Sequence, residues 1–232
     1  MGRMIELTAA DGFELQAYRA DPAGAAKGGV VVLQEIFGAN AHIRAVADRL
    51  AAAGYLAIAP ALFDRAQKHV DWAYGEAAAK NGMALVGKID RAATMKDVAA
   101  AVAAASQGGK VGVVGFCWGG TLAWAAAAET PALSAAVGYY GGGVVGMKAL
   151  KPKAPVMLHF GEKDAGIPLA GIEEVKALHP ALPIYVYPGA GHAFNRDPDP
   201  AKYHAEAARL AWTRTLDFLG KCLQPRRTAA AS

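Results

Sequence analysis

The sequence has little cysteine, few aromatic residues and no concentrated charge. Only two of its 232 residues are cysteine, which excludes a disulfide framework and favours a reducing compartment. Aromatic residues make up 8% of the chain, and its 12 prolines follow no period, so a collagen-like or proline-rich linker chain is excluded. The hydrophobic content of 54% is that of a folded chain with a sizeable core.

The basic residues form no patch. The formal net charge is +4, and the lysines and arginines are spread along the chain; the only tight group is the pair Arg226 and Arg227. A nucleic-acid-binding protein concentrates such residues on one element. We therefore expect no nucleic-acid partner.

The sequence predicts neither a secretory leader nor a membrane span. Residues 1–6 carry an early charge and no apolar stretch of the kind that signal peptides contain. Residues 111–128 are free of charge over a length that could span a bilayer, but four glycines interrupt them. A strand, a tight turn and a buried helix explain this run better. We expect a cytoplasmic protein with no membrane partner.

Apolar strands alternate with helices, without a repeat or a linker. Strands are predicted at 5–8, 15–19, 29–34, 55–59, 111–116, 135–140, 155–160 and 184–187. Helices are predicted at 41–53, 90–105, 119–129, 169–178 and 202–223, and residues 61–89 read as a loop-rich excursion with one or two helices. The alternation predicts an α/β fold in which helices cover both faces of a mostly parallel sheet. Residues 1–224 are predicted to form one domain, and residues 225–232 a disordered tail.

The strongest chemical signal is GFCWGG at residues 115–120, which follows a strand and opens a helix. It has the pattern of a nucleophile elbow with Cys117 in the position of the serine. A helix N-terminus also lowers the pKa of a thiol and so activates it. The alternative is a buried structural cysteine in a glycine-rich turn.

Two further signals follow later strands. Asp164 ends the sequence GEKD at 161–164, and His192 lies in GAGHAF at 189–194. Taken alone, Asp164 reads as a turn residue and His192 as a surface histidine. However, the order nucleophile, acid, base at 117, 164 and 192 is the order of the α/β-hydrolases. The three residues together predict a catalytic triad in which Asp164 orients His192.

The loop QEIFG at 34–38 follows the strand at 29–34. In an α/β-hydrolase this loop supplies one oxyanion-hole N–H and the residue after the nucleophile supplies the other, which assigns Ile36 and Trp118. A carboxylate at Glu35 would oppose the developing negative charge unless it is neutral or paired. We expect either the Cys117 thiol or Arg196 to engage Glu35; the alternative is a solvated loop glutamate.

These segments together resemble the dienelactone hydrolase (carboxymethylenebutenolidase) family of the α/β-hydrolase superfamily. The matching pieces are QEIFG at 34–38, GFCWGG at 115–120, VGYYG at 137–141, GEKD at 161–164 and GAGHAF at 189–194. The resemblance implies a thiol hydrolase that opens a small lactone or ester through an acyl-cysteine.

The same resemblance implies roles for individual residues. It makes Cys117 the nucleophile, His192 the base and Asp164 its orienter. It makes Glu35 the carboxylate that pairs with the resting thiol and helps to deprotonate it. It implies that Arg196 binds a substrate carboxylate. It also implies that Tyr139 and Tyr140 belong to the wall of the substrate pocket.

One departure concerns the second arginine that the family brings from the segment after the fourth strand. Here the segment offers Arg65, Lys68 and Lys80, none of which matches. The substrate is therefore expected to be a small lactone or ester, with or without a carboxylate.

No metal or organic cofactor is expected, since no Cys/His cluster has the spacing of metal ligands. No segment has the pattern of an oligomer interface, so a monomer is expected. The alternative function is a non-catalytic thiol sensor or ligand-binding protein on the same fold, because an exposed cysteine of low pKa is prone to oxidation.

Overall fold

The fold is built on one eight-stranded sheet. A computed structural model describes residues 2–224. The strands are β1 (Arg3–Thr8), β2 (Glu14–Ala20), β3 (Gly29–Leu33), β4 (Leu56–Pro60), β5 (Val111–Phe116), β6 (Leu133–Tyr139), β7 (Val156–Gly161) and β8 (Ile184–Tyr187). Their order in the sheet is β1-β2-β4-β3-β5-β6-β7-β8. The pairs β1–β2 and β2–β4 are antiparallel and the other five pairs are parallel, which confirms the predicted α/β fold.

Seven α-helices accompany the sheet within the described residues. They are α1 (Ala41–Ala52), α2 (Glu76–Val86), α3 (Arg91–Ala105), α4 (Trp118–Glu129), α5 (Gly143–Gly146), α6 (Leu169–Leu178) and α7 (Ala205–Leu223). The short helix α5 has no counterpart among the predicted elements. Its glycine-rich sequence carries no helical periodicity that could reveal it.

The central strands are buried along their whole length, as parallel strands covered on both faces should be. Every residue of β3, β4, β5 and β7 is buried. The valines of β3 and β5 face layers of helix on either side of the sheet, and their branched side chains suit this position. This core fixes the carboxyl ends of β3, β5, β6, β7 and β8, where the predicted site residues follow.

Side-chain caps set the starts of three helices. Asn40 accepts a hydrogen bond from the N–H of Ile43 at 3.2 Å, and Asp90 accepts one from Ala93 at 3.0 Å. The last helix begins at Ala205 and not at residue 202 as predicted. Its cap is His204, whose Nδ1 accepts from the N–H of Ala207 at 3.3 Å, so the residues before it stay outside the helix.

The segment 61–89 forms loops and one helix, α2, as predicted in outline. It packs on the loop 34–38 through a small apolar cluster that is separate from the main core. The cluster consists of Ile36, Phe37, Phe63, Val70 and Leu85. This contact places the segment directly over the loop that follows β3.

The predicted tail at 225–232 lies outside the described residues. Between residues 2 and 224, no helix combines the length and the apolar character that a membrane span requires. The uncharged run 111–128 is divided between β5, a tight turn at Cys117 and all of α4 except its last residue.

Candidate active site

Cys117 lies at a sharp turn between β5 and α4. Its backbone has φ 55° and ψ −115°, outside the regions that side chains favour. Close packing explains the two glycines that flank it: a Cβ on Gly115 would lie 1.9 Å from the carbonyl oxygen of Gly119, and one on Gly119 would lie 2.2 Å from that of Leu33. The strand and the helix can therefore meet at this turn only without side chains at these two positions.

A hydrogen-bonded relay connects Cys117 to a buried carboxylate. Sγ of Cys117 lies 3.2 Å from Nε2 of His192, and Nδ1 of His192 donates to Oδ2 of Asp164 at 2.6 Å. Asp164 is only 4% exposed, and its other oxygen accepts from the N–H of Gly166 at 2.9 Å. The structure thus brings together the three residues that the chain order selected.

The relay changes the proton affinity of His192. Burial lowers the pKa of this imidazole, but its hydrogen bonds with Asp164 and Cys117 outweigh burial and raise the pKa to about 10. The raised pKa makes His192 a strong base next to the sulfur of Cys117. The N-terminus of α4 begins directly after Cys117.

Glu35 is fully buried beside this relay, and both of its oxygens are hydrogen-bonded. Oε1 accepts from Nη2 of Arg196 at 2.9 Å, and Oε2 accepts from the hydroxyl of Tyr74 at 2.9 Å. Of the two partners expected from the sequence, Arg196 is the one that the structure places on Glu35. Burial lowers the pKa of Arg196, but the charge and hydrogen bond of Glu35 outweigh it and hold the pKa above its ordinary value.

Arg196 is enclosed on all sides. Its guanidinium lies 4.1 Å from the ring centroid of Tyr74 and 5.0 Å from that of Phe37. Its Nη1 donates to Oδ2 of Asp199 at 3.2 Å, and the residue is 7% exposed. The guanidinium is therefore bound by two carboxylates and packed against two aromatic rings.

The backbone N–H groups of Ile36 and Trp118 are the two predicted to form an oxyanion hole. Ile36 follows Glu35 in the loop after β3, and Trp118 is the first residue of α4, where helical N–H groups have no partner within the helix. Within residues 2–224, neither group donates to another backbone carbonyl. Trp118 is held by stacking on Phe63, with ring centroids 5.3 Å apart.

The sequence profile of the dienelactone hydrolase family matches residues 15–223. The chain belongs to this family. It is a carboxymethylenebutenolidase-like hydrolase with the α/β-hydrolase fold. The predicted membership is thereby confirmed.

Individual relatives agree with the family assignment. A carboxymethylenebutenolidase of Pseudomonas putida is 36% identical over 229 residues, which cover 93% of this chain and 94% of that protein. A carboxymethylenebutenolidase-type protein of Methylorubrum extorquens is 39% identical over 232 residues, with 88% and 76% covered. The crystal structure of a dienelactone hydrolase-type protein from Klebsiella pneumoniae superposes with a TM-score of 0.82 at 34% identity, over 95% of this chain and 99% of that one.

The two tyrosines expected in the pocket wall of this hydrolase lie in different places. Tyr140 has its ring centroid 5.1 Å from that of His192, and its buried hydroxyl has no hydrogen-bond partner in the described residues. Burial and then the charge of Glu35 raise the pKa of Tyr140 well above its ordinary value. Tyr139 is fully buried in β6, and its hydroxyl is hydrogen-bonded to Thr215 at 2.7 Å. The structure therefore brings Tyr140 to the site and leaves Tyr139 in the core, because β6 ends at Tyr139 and Tyr140 follows it with a positive φ.

Strained backbone gathers around the relay of this family member. Among residues 2–224, five residues other than glycine have a positive φ, and three of them are Cys117, Tyr140 and Ala193. Cys117 comes directly after β5, Tyr140 directly after β6, and Ala193 directly after His192. Such strain persists where the surrounding structure over-determines a conformation, and it is common at active sites.

Tyr74 and Asp199 are the two site residues that the sequence reading missed. Tyr74 belongs to the segment 61–89, which carries no clear periodicity, so no sequence pattern indicates a role for its hydroxyl. Asp199 did have a signal, because it lies three positions after Arg196 and an acidic residue at this spacing can reach a guanidinium. The spacing of Asp199 from Arg196 becomes informative only when the partners of Arg196 are considered.

Proposed function

We propose that the chain hydrolyses a small carboxylic ester or lactone through an acyl-cysteine intermediate on Cys117. The observation that carries this proposal is the 3.2 Å contact between Sγ of Cys117 and Nε2 of His192, whose other nitrogen is bound to buried Asp164. Nucleophilic catalysis uses a thiol next to a base whose orientation a third group fixes.

The first half of the reaction forms the thioester. The thiol proton passes to Nε2 of His192, and the thiolate sulfur of Cys117 attacks the carbonyl carbon. The N–H groups of Ile36 and Trp118 stabilise the oxyanion of the tetrahedral intermediate. The carbon–oxygen bond then breaks, and the leaving oxygen takes the proton from His192.

The second half releases the acid. His192 accepts a proton from a water molecule, whose oxygen attacks the thioester carbon. The carbon–sulfur bond breaks, and the sulfur of Cys117 recovers the proton from His192. In a lactone, the leaving oxygen stays attached to the acyl group, so one open-chain hydroxy or keto acid is the product. None of these steps requires a metal or an organic cofactor.

Glu35 has a supporting role in this proposal. Both of its oxygens are engaged, by Arg196 and Tyr74, so we assign the thiol proton to His192 alone. Glu35 then fixes the guanidinium of Arg196 and the phenol of Tyr74. Pairing of the negative charge with Arg196 limits its repulsion of the oxyanion.

The test is intact-protein mass spectrometry during turnover of p-nitrophenyl acetate, with nitrophenol release followed in parallel. We expect one acetyl group on Cys117 and continued release of nitrophenol. The control is Cys222→Ala, which removes the other cysteine, a half-buried residue of α7, and keeps the adduct and the turnover. In Cys117→Ala both should be lost.

Two results would contradict the proposal. The first is nitrophenol release that persists in Cys117→Ala, since the ester would then be cleaved elsewhere. The second is an adduct on Cys117 that forms once without further release. A thiol sensor would behave in this second way, because it needs a reactive cysteine but no base that activates water.

A further inference from the structure

We infer that Asn40 is a positioning residue for the active site, because its side-chain amide holds the segment 61–89 at Trp72 and so keeps the hydroxyl of Tyr74 on Glu35. The inference rests on the proposed function and deepens it. It gives Asn40 a role beyond the cap of α1. We expect Asn40 to affect catalysis through Tyr74 and not through contact with the substrate.

The side chain of Asn40 is hydrogen-bonded at both ends. Oδ1 accepts from the N–H of Ile43 at 3.2 Å and so caps α1, and Nδ2 donates to the backbone carbonyl of Trp72 at 3.1 Å. The residue is 4% exposed. Aspartate and serine cap helices as well as asparagine does, but of the three only asparagine adds an N–H donor. The cap alone therefore does not explain asparagine at this position.

Both backbone polar groups of Trp72 are bound to the chain between β3 and α1. The carbonyl accepts from Asn40, and the N–H donates to the carbonyl of Phe37 at 3.1 Å. A backbone that is held on both sides has a fixed direction, and Tyr74 lies only two positions further along it. The amide of Asn40 thus helps to determine where the side chain of Tyr74 can reach.

Tyr74 contacts the charged part of the site directly. Its hydroxyl donates to Glu35 at 2.9 Å, and the guanidinium of Arg196 lies 4.1 Å from its ring centroid. Burial and the charge of Glu35 raise the pKa of Tyr74, whereas interaction with the side chain of Asn40 lowers it. Asn40 therefore acts on the phenol itself as well as on the backbone that leads to it. If Tyr74 moved away, Glu35 would lose one of its two donors, and its negative charge would be less compensated.

A second link between the same two elements is more exposed to solvent. Nη1 of Arg44, on α1, lies 2.9 Å from Oδ2 of Asp71, and the two side chains are 29% and 51% exposed. Ion pairs at the surface contribute little to stability. Asp71 directly precedes Trp72, so its side chain offers a matched control that leaves the bond between Asn40 and Trp72 in place.

Asn40→Ser keeps the cap of α1 and removes the donor to Trp72. We expect kcat/KM for p-nitrophenyl acetate to fall by about three- to tenfold, which corresponds to the loss of one buried hydrogen bond. Alkylation of Cys117 by iodoacetamide at pH 7 should slow by about threefold, because negative charge on the sulfur then meets a less compensated carboxylate. In the control, Asp71→Asn, both rates should stay within about twofold of wild type.

A double-mutant cycle with Tyr74→Phe distinguishes positioning from a general loss of stability. If Asn40 acts through the hydroxyl of Tyr74, the addition of Asn40→Ser to Tyr74→Phe should lower neither rate by more than about twofold. Factors that multiply in the double variant would overturn the inference. Wild-type rates in Asn40→Ser alone would overturn it as well.

The same cycle remains decisive if one part of it fails. Asn40→Asp also caps α1 and lacks the donor, so it replaces Asn40→Ser if circular dichroism shows that the serine variant is unfolded. Failure of the proposed function gives a different result, since the wild-type protein would then not turn over p-nitrophenyl acetate. The alkylation rates of the same four proteins would still decide whether Asn40 positions Tyr74.

Discussion

The hydroxyl of Tyr74 donates a hydrogen bond to the carboxylate of Glu35 across 2.9 Å, although 39 positions separate the two residues in the chain. This contact ties the segment 61–89 to the loop after β3. It also supplies the second of the two donors that Glu35 requires as a fully buried carboxylate, the first being Arg196. Tyr74 therefore couples the segment 61–89 to the buried carboxylate of Glu35.

Tyr74→Phe removes this donor and keeps the ring. We expect the free energy of unfolding to fall by about 1.5–3 kcal/mol, because a buried carboxylate loses a charge-assisted hydrogen bond. Urea denaturation measures the change. The control is Tyr203→Phe, at a tyrosine that is 40% exposed, and it should stay close to wild type. Equal stability of Tyr74→Phe and wild type would mean that Glu35 does not need this donor.

Asp164→Asn tests the relay. The amide oxygen can still accept from the N–H of Gly166, so the loop keeps its shape, but an amide cannot hold Nδ1–H of His192 as a carboxylate does. We expect kcat to fall on the order of 10²–10⁴-fold with little change in stability. Glu162→Gln is the matched control on the same loop, since the one hydrogen bond that the Glu162 side chain makes within residues 2–224 is from the backbone N–H of Gly189. Near-wild-type turnover in Asp164→Asn would remove Asp164 from the proposed triad.

Gly82→Ala tests the contact between α2 and the loop after β3. A Cβ at this position would lie 1.8 Å from the carbonyl oxygen of Ile36. Overpacking of this kind costs about 1–3 kcal/mol, which exceeds the gain in helix propensity of about 1 kcal/mol. We expect lower stability and a lower kcat, because Ile36 must shift and its N–H is a proposed oxyanion donor.

The control for Gly82→Ala lies at the end of the same helix. At Gly87 an added Cβ would approach no atom closer than 3.6 Å, so Gly87→Ala should retain both stability and kcat. If both variants keep the wild-type kcat, the prediction is wrong, and the position of Ile36 does not limit catalysis.

His159 predicts how stability depends on pH. Its Nδ1 is hydrogen-bonded to the hydroxyl of Tyr187 at 2.9 Å and its Nε2 to Oγ1 of Thr215 at 3.2 Å. Burial, helped by the charge of Arg214, lowers its pKa from 6.5 to about 3. Below pH 6.5, His159 therefore binds a proton in the unfolded chain but stays neutral in the folded protein. Stability is full above pH 6.5 and declines as the pH falls toward 3.

The measurement compares urea midpoints of the wild type and His159→Phe at pH 7.5 and pH 5. The variant is less stable at both pH values because it loses two hydrogen bonds. However, it should lose less stability on acidification, by up to about 1.4 kcal/mol for each pH unit below 6.5. Parallel pH profiles would show that His159 takes up its proton in the folded state.

The sequence alone predicts the residues of this site that stand directly after strands, because the physics there is local. A buried strand, a turn with glycine at set spacings and a helix start together indicate where Cys117 points, and the same holds for Asp164 and His192. The partner of Glu35 could be narrowed to two candidates. Only the folded chain distinguishes them, since Arg196 reaches Glu35 from 161 positions away.

The parts that could not be predicted depend on long-range packing. Tyr74 lies in a segment whose fold is set by an apolar cluster with Ile36 and Phe37, and no periodicity reveals this. Tyr139 and Tyr140 are neighbours of the same type, and which of them faces the pocket depends on where β6 ends. The positive φ of Tyr140 ends the strand and turns its ring toward His192.

The proposed base follows β8, the shortest strand of the sheet in the described part of the chain. β8 has four residues, three of them only half-buried, and it is bonded on one side alone, to β7. Edge segments with few buried contacts open at a lower free energy than the core, on their own and reversibly. Amide hydrogen exchange should therefore be faster in β8 than in β5. On heating, catalytic activity should be lost at a lower temperature than the one at which the far-ultraviolet circular dichroism signal shows global unfolding. Loss of catalysis in this protein would then report fraying of one sheet edge well before the global transition.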